Sequence, residues 1–97
     1  MALTGKQKNH LRGLAHSLKP VVTIGANGIT DAVIAELDLS LNVHELLKLK
    51  LPAVEKEDKN AAIEELCRRT SAEAVQSIGR VVVLFRANEE SKITLPR

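Results

Sequence analysis

Aromatic residues are almost absent from this sequence, since Phe85 is the only one among its 97 residues. Modules that stack several unpaired bases on aromatic platforms, such as RRM sheets and many single-strand-binding OB folds, need more than one such side chain. A single cysteine, Cys67, excludes an internal disulfide and a cysteine-rich metal site, and it favours a reducing, cytoplasmic location. The chain must therefore fold without cross-links, and it has no row of rings on which to stack bases.

Long apolar runs are also missing. The longest, Val81 to Phe85, is too short to cross a bilayer, and no apolar stretch of signal-peptide length follows Lys6 and Lys8. We therefore expect no membrane association. The chain is 44% apolar and 27% charged, which predicts one globular domain over residues 1–97, with a core at about 3–87 and a loosely held polar tail at 88–97.

Acidic residues are absent from the first thirty positions, where Asp31 is the first to appear. The second half, residues 51–97, carries equal numbers of basic and acidic residues. The charge asymmetry says more than the net charge of +2, because it concentrates positive charge near one segment. The basic and histidine residues of the acid-free stretch are Lys6, Lys8, His10, Arg12, His16 and Lys19.

A glycine turn, Gly25-Ala26-Asn27-Gly28, lies between an apolar stretch of β type and a helix start at Thr30. Thr30 is a good N-cap, and the glycines let backbone N–H groups approach an anion at the helix N-terminus. A G-x-x-G motif alone is weak, since such glycines often only shape the turn. The adjoining positive charge favours a binding function for this glycine loop.

The first helix is predicted over residues 4–18, where apolar residues recur at helical spacing. Leu11, Leu14, Ala15 and Leu18 form the predicted buried stripe. Lys8, Arg12 and His16 fall along one flank of that stripe, and Lys19 follows it. This basic flank is either a binding surface or an ordinary solvated face, and the lack of interleaved acidic partners favours binding.

The remaining pattern predicts an α/β fold in the order α-β-α-β-α-β-β, with three helices packed on a four-stranded mixed sheet. Gly79-Arg80 predicts a type II′ hairpin between the last two strands. In the second strand Lys48 and Lys50 alternate with leucines, so they either extend a binding surface or form the wet side of the sheet. The predicted ranges after the first helix are strand 21–24, helix 31–41, strand 45–51, helix 58–70, strand 74–78 and strand 81–86.

Catalytic and metal-binding patterns are not found in the sequence. The three histidines and Cys67 lack metal-ligand spacing, and the glycine loop is neither a G-x-G-x-x-G motif nor a P-loop. The serines show no nucleophile context. We therefore expect a protein that is not an enzyme and has no metal, cofactor or small-molecule substrate.

Several separated motifs stand in a fixed order along the chain. They are residues 11–22, the Ile24-Gly25-x-x-Gly28 turn, residues 44–48, residues 75–80 and residues 83–86. These motifs resemble the CRM domain family (chloroplast RNA splicing and ribosome maturation), over about residues 3–87. With one such domain filling the chain, the sequence is similar to the stand-alone bacterial, YhbY-type branch of that family.

The resemblance implies a fold similar to the C-terminal domain of translation initiation factor three. It also implies RNA binding, with a glycine loop acting as in KH domains, and a link to precursors of the large ribosomal subunit. Family loops often carry a lysine between the glycines, whereas this chain has Ala26-Asn27. We therefore expect a weaker contribution from the loop and a larger one from the first helix.

Together these observations predict a non-enzymatic, monomeric RNA-binding protein that contacts phosphates of ribosomal RNA during large-subunit assembly, with specificity coming mainly from RNA shape. The alternative is a protein-interaction module that docks on a ribosomal protein or an assembly factor. The predicted RNA contacts are Gly25, Ala26, Asn27, Gly28, Lys8, Arg12, His16 and Lys19, with Lys48, Lys50, Arg80 and Arg86 as further contributors.

Overall fold

A computed structural model describes residues 3–88, 93, 95 and 96. Within these residues three helices and four strands follow one another in the predicted order. None of the helices in this described part is long and apolar enough to span a bilayer. The elements are α1 (Gly5–Ala15), β1 (Pro20–Thr23), α2 (Asp31–His44), β2 (Leu46–Lys50), α3 (Lys56–Thr70), β3 (Glu73–Ile78) and β4 (Val81–Phe85).

The strands form one mixed sheet in the order β1-β2-β4-β3, which confirms the predicted fold class. β1 runs parallel to β2, as a strand-helix-strand unit requires, while β4 pairs antiparallel with both β2 and β3. Gly79 between β3 and β4 has a φ of 57°, whereas Arg80 does not have a positive φ. That combination fits the predicted type II′ hairpin. The two central strands of the sheet, β2 and β4, are far apart in sequence.

One face of the sheet is completely packed against α2 and α3, and we call it the covered face. Side chains alternate between faces along a strand, so Leu47, Leu49 and Leu51 point to this side of β2. Val82 and Leu84 contribute from β4. The buried residues of the covered face are Val22, Ile24, Leu37, Leu41, Leu47, Leu49, Leu51, Leu66, Ala72, Val82 and Leu84.

The opposite face packs against α1 alone, and we call it the α1 face. Its buried cluster contains Leu11 and Ala15 from the helix, and Leu46 and Phe85 from the ends of β2 and β4 that pair with each other. Lys48 and Lys50 alternate with the leucines of the covered face, so both belong to the α1 face. Lys48 is half-buried and Lys50 is exposed.

The first helix is shorter than predicted, because it ends at Ala15. Thr4 caps it, in a capping box with Gln7. Leu11 and Ala15 are buried, but Leu14 and Leu18 are exposed, so half of the predicted stripe is wrong. Residues 16–19 turn the chain from the helix onto β1, and they leave Leu18 outside the packed region.

Helices α2 and α3 are longer than predicted. α2 continues to His44, and Glu45 then ends it with a φ of 60°. α3 begins at Lys56, after Glu55 adopts the extended conformation of an N-cap residue. Acidic residues in the first turn of α3 are favoured by the helix dipole, which explains why this polar segment is helical.

The expectation of a loosely held tail is wrong for the described part of that segment. Ile93 and Leu95 pack against the buried cluster of the α1 face. The Gln7 side chain donates a hydrogen bond of 3.1 Å to the Pro96 carbonyl oxygen, and the Asn88 side chain donates one of 2.9 Å from its Nδ2 to the Asn42 carbonyl oxygen. Two apolar residues in a polar sequence are thus enough to dock the chain. Residues 89–92, 94 and 97 of the predicted tail lie outside the described residues.

Candidate nucleic-acid interface

A groove of about 670 Å³ lies between α1 and the part of the sheet that the helix does not cover. We call it the basic groove. α1 has only 11 residues and packs over the end of the sheet where β2 and β3 begin, so the other end of the α1 face stays open. The groove is lined by Asn9, Arg12, Gly13, Ala15, His16, Lys48, Gln76, Ile78, Val81 and Val83.

Three of the predicted contact residues meet in the basic groove. Arg12 and His16 come from the last turn and the C-cap of α1, while Lys48 comes from the middle of β2. Arg12 also lies at the end of the helix where the dipole favours a cation. No acidic residue is found among the described residues that line the groove. The groove is therefore a site of positive potential built from two elements that are distant in sequence.

Lys50 extends this positive surface toward the glycine loop. It pairs in register with Thr23 of β1, and its carbonyl oxygen accepts a hydrogen bond of 2.8 Å from the Ile24 amide. The glycine loop begins at the next residue, Gly25. Parallel pairing of β1 and β2 thus brings the loop to the end of the sheet at which Lys50 lies.

The glycine loop is a tight turn in which the Gly28 amide donates a hydrogen bond of 3.0 Å to the Gly25 carbonyl oxygen. Gly28 has a φ of 73°, a conformation that favours glycine. A Cβ atom on either glycine would meet nothing within 4 Å, so open space surrounds both. The Thr30 hydroxyl accepts a hydrogen bond from the Val33 amide at 3.2 Å, which confirms the predicted N-cap. Gly25, Ala26 and Asn27 are exposed and accessible to a ligand.

The surroundings of the loop on its other side are apolar and acidic. A cavity of about 310 Å³ there is lined partly by Gly28, Asp58 and Glu65. Asp31, the first residue of α2, forms a 2.7 Å ion pair with Arg69, and this hydrogen bond raises the pKa of Arg69. A polyanion is therefore attracted to the loop from the Lys50 side and not from the α3 side.

Lys8 and Lys19 are placed differently from Arg12. Lys19 is exposed in the turn between α1 and β1, directly before Pro20, which pairs in register with Lys48. Lys8 is half-buried and lines a separate cavity of about 290 Å³ together with Glu73. Along a helix, a residue four positions further on is rotated by about 40° around the axis. Lys8 and His16 are separated by two such steps, so their side chains point in different directions. The structure thus does not bring Lys8 into the groove.

Arg80 lies in the β3–β4 hairpin, at the same end of the sheet as Lys50. Lys50 pairs in register with Val81, the residue that follows Arg80. Its Nε donates a hydrogen bond of 2.9 Å to the Leu51 carbonyl oxygen. A cavity of about 380 Å³ beside it is also lined by Lys56 and Lys59. Sequence reasoning did not single out these two lysines, because their proximity to Arg80 depends on how β2 pairs with β4.

The surroundings of Arg86 give this side chain a structural role. Its guanidinium donates hydrogen bonds to the Asp38 carboxylate and carbonyl, to the Asn42 side chain at 2.8 Å and to the Thr70 carbonyl oxygen at 2.8 Å. The side chain is only 18% exposed. Residue 86 continues the alternation of Val82 and Leu84 toward the covered face, which is a signal that the sequence contained. Arg86 joins the end of β4 to α2 and α3, and we leave it outside the proposed RNA surface.

Groups capable of nucleophilic or metal chemistry are not assembled in the described part of the chain. No cluster of three or more His, Cys, Asp or Glu residues that could hold a metal ion is present there. Burial raises the pKa of the Cys67 thiol, and the nearby charge of Glu73 raises it further. Cys67 packs against the buried residues of the covered face, as expected for a core side chain.

The fold and the site define a small α/β module in which a mixed sheet carries a glycine loop after its edge strand β1 and a basic groove on its α1 face. The chain belongs to the CRS1/YhbY (CRM) domain family, whose model matches residues 3–86. This match confirms the resemblance found in the sequence. The family is a non-catalytic one, and the chain is accordingly not an enzyme.

Several bacterial relatives match the chain over nearly its whole length. An RNA-binding protein of Haemophilus influenzae is 50% identical over 95 residues, which span 98% of this chain and 96% of that protein. A protein of Pseudomonas aeruginosa named as a probable RNA-binding protein is 44% identical, over 91% of this chain and 85% of its own. The solution structure of a Staphylococcus aureus protein matches with a TM-score of 0.85 and 40% identity, and it covers 98% of this chain and 100% of its own. The match to that structure confirms the architecture described above.

Proposed function

We propose that this protein binds RNA through the basic groove and the glycine loop, and that it does so on ribosomal RNA during assembly of the large subunit. The observation that carries the proposal is the meeting of Arg12, His16 and Lys48 in one groove, whose described lining residues include no acidic one. The Haemophilus and Pseudomonas relatives, whose names describe RNA binding, support the same class of ligand. The ribosomal part rests on what the family resemblance implies, and a cytoplasmic location goes with it.

The proposed mechanism is mainly electrostatic. Arg12, Lys48 and Lys50 neutralise backbone phosphates along the groove, with Lys19 beside them. The N–H groups of the exposed glycine loop and the start of α2 bind a further phosphate, as helix N-termini commonly do. Contacts of this kind position the RNA without reading its sequence, and each one releases counterions. Affinity should therefore fall steeply as the salt concentration rises.

A matched pair of arginine variants tests this mechanism. Arg12 and Arg68 are both exposed helical arginines, but Arg68 lies on α3, away from the groove. Arg12→Ala combined with Lys48→Ala should lower RNA affinity about tenfold and should reduce the slope of log affinity against log salt by about 1.4 to 1.8, because each phosphate contact contributes roughly 0.7 to 0.9. Arg68→Ala should leave both quantities unchanged. Equal effects of Arg12→Ala and Arg68→Ala would contradict the proposed surface.

The ribosomal part needs its own measurement. Sucrose-gradient sedimentation of a cell extract should show the protein with the large subunit or its precursors at low salt. The Arg12/Lys48 double variant, like high salt, should move it to the top of the gradient. A wild-type protein that stays at the top at low salt would contradict stable ribosomal association, whatever the affinity for isolated RNA.

A second candidate is docking on a ribosomal protein or an assembly factor. It is favoured by Leu39 and Val43, large apolar residues one turn apart on α2, both of which are exposed. Docking through such a pair predicts a shallow salt slope. It also predicts that Leu39→Ser, and not the Arg12/Lys48 double variant, releases the protein from the particle.

A further inference from the structure

The floor of the basic groove is apolar, which phosphate binding does not require. Ile78 and Val81 face each other across the β3–β4 hairpin as partners in register, and both line the groove. Ile78 is 65% exposed, although it is a large apolar side chain on a strand. Val83 lies deeper in the same groove, where it is buried. The groove thus combines a positively charged rim with an apolar surface that is open to solvent.

Two neutral amides complete the lining. Gln76 pairs in register with Val83 and projects from β3 on the α1 face, while Asn9 comes from α1 on the opposite wall. Within the described residues, the hydrogen bonds of the structure do not include either of these side-chain amides. An amide carries both donors and an acceptor, so it can match the edge of any nucleobase. The groove therefore offers apolar contact, hydrogen-bonding groups and positive charge within one cleft.

We propose that the basic groove binds an unpaired nucleotide, whose base lies on Ile78 and Val81 while its phosphates contact Arg12 and Lys48. Gln76 and Asn9 hydrogen-bond to the base edge and give the site a base preference. This inference rests on the proposed function and deepens it, since it names single-stranded RNA as the ligand of the groove. It also adds direct base contacts to an interface whose specificity the sequence predicts to come mainly from RNA shape.

The dimensions and the chemistry favour an unpaired base over a duplex. A volume of about 670 Å³ lies within the range of roughly 300 to 1,000 Å³ that is usual for small-molecule clefts. In an A-form duplex the bases are stacked on one another, so Ile78 could not lie against a base face. Aliphatic side chains replace the usual aromatic platform, because Phe85 is buried beneath α1.

A serine substitution at Ile78 tests the base contact with a matched control. Leu39 is exposed to nearly the same degree, 67% against 65%, and lies on α2 outside the groove. The probes are a single-stranded 12-nucleotide RNA, an abasic ribose-phosphate strand of the same length, and a duplex of the same sequence. Ile78→Ser should weaken binding of the single strand about three- to tenfold, less than the loss of an aromatic platform would cause. It should leave the abasic strand and the duplex unchanged, and Leu39→Ser should change none of the three.

The outcomes separate this inference from the proposed function. The base contact is overturned if Ile78→Ser weakens the binding of none of the probes. It is also overturned if this variant weakens binding of the abasic strand as much as binding of the natural one. Arg12→Ala would still weaken all three probes in that case if the phosphate mechanism holds. Arg12→Ala without effect on any probe would overturn the proposed function itself.

Methyl NMR of the wild-type protein gives an answer that does not depend on whether a variant folds. A base stacked on Ile78 should shift its δ-methyl resonance upfield through the ring current, whereas the abasic strand cannot. The δ-methyl groups of Leu39 should not shift. Equal shifts of the Ile78 methyl with both strands would overturn the proposal. A base preference that is the same in Gln76→Ala as in the wild type would overturn the assigned role of Gln76.

Discussion

The two faces of the sheet are made from the same four strands, yet helices cover them to different extents. The covered face is closed by two helices of 14 and 15 residues, and Leu49 and Leu84 at its centre are completely buried. The α1 face has one helix of 11 residues that packs over one end, so Ile78 and Lys50 at the other end remain exposed. A short first helix is thus enough to leave a groove on an otherwise packed domain.

The second strand, β2, contributes side chains to both faces. Leu47, Leu49 and Leu51 point to the covered face and are all buried, whereas Lys48 and Lys50 point to the α1 face. Because adjacent residues serve opposite faces, one strand can contribute to folding and to binding at the same time. The covered face should therefore determine stability, and the open part of the α1 face should determine RNA affinity.

The largest expected effect is the difference in stability loss between substitutions on the two faces. Leu84→Ala on the covered face removes a fully buried side chain and should lower the free energy of unfolding by about 2 to 5 kcal/mol. Val81→Ala on the groove floor starts from a half-buried position and should cost less than about 1 kcal/mol. Urea denaturation followed by far-UV circular dichroism measures both. Equal losses would show that the two faces are not distinct in the way described.

The next effect concerns Arg86, which joins the covered face to the end of β4. Arg86→Ala leaves the Thr70 carbonyl oxygen and the Asn42 side chain without their donor, and should destabilise the protein by about 1 to 3 kcal/mol. RNA affinity of the folded protein should stay unchanged, because the guanidinium is already engaged within the domain. Denaturation and RNA titration are both needed for this variant.

A lysine at the same position provides the control for charge. Arg86→Lys keeps one positive charge but cannot donate several hydrogen bonds in a plane, so it should recover only part of the lost stability. An Arg86→Ala protein of normal stability with weakened RNA binding would instead place Arg86 at the interface. That result would break the division between the two faces.

Much of the fold could be predicted because its signals are local. Thr4 and Thr30 are recognisable caps, Gly79-Arg80 marks the hairpin, and the alternating leucines of β2 define a strand. Sequence periodicity also placed Arg12 and His16 side by side. Their meeting with Lys48 depends on how α1 packs across the sheet, which these local patterns do not specify.

The errors arise where distant segments decide the outcome. Leu14 and Leu18 follow a helical apolar pattern, but α1 packs on the sheet through Leu11 and Ala15, and the other two leucines are exposed. Lys8, whose contact with RNA stays a prediction, has the spacing of the basic flank but lines a separate cavity together with Glu73. The apolar floor around Ile78 was not predicted, since an exposed isoleucine at a strand end is indistinguishable in sequence from a core residue.

The smallest effect concerns the glycine loop, which lies where the two faces meet. Gly28 has a φ of 73°, so Gly28→Ala should lower stability by about 1 to 2 kcal/mol through backbone strain. Gly25 is not among the residues with positive φ, and a Cβ there meets nothing within 4 Å, so Gly25→Ala should leave stability unchanged or raise it slightly. Thermal unfolding distinguishes the two variants.

RNA titration of Gly25→Ala then reports how closely phosphate approaches the loop. If the loop amides bind a phosphate directly, the added methyl group holds it away, and affinity should fall about two- to fivefold in a protein of normal stability, a loss below 1 kcal/mol. The loss should be smaller than that of Arg12→Ala, because Ala26-Asn27 brings no cation to the loop. Unchanged affinity in Gly25→Ala would show that the groove binds RNA without the loop, and that the glycines only shape the turn.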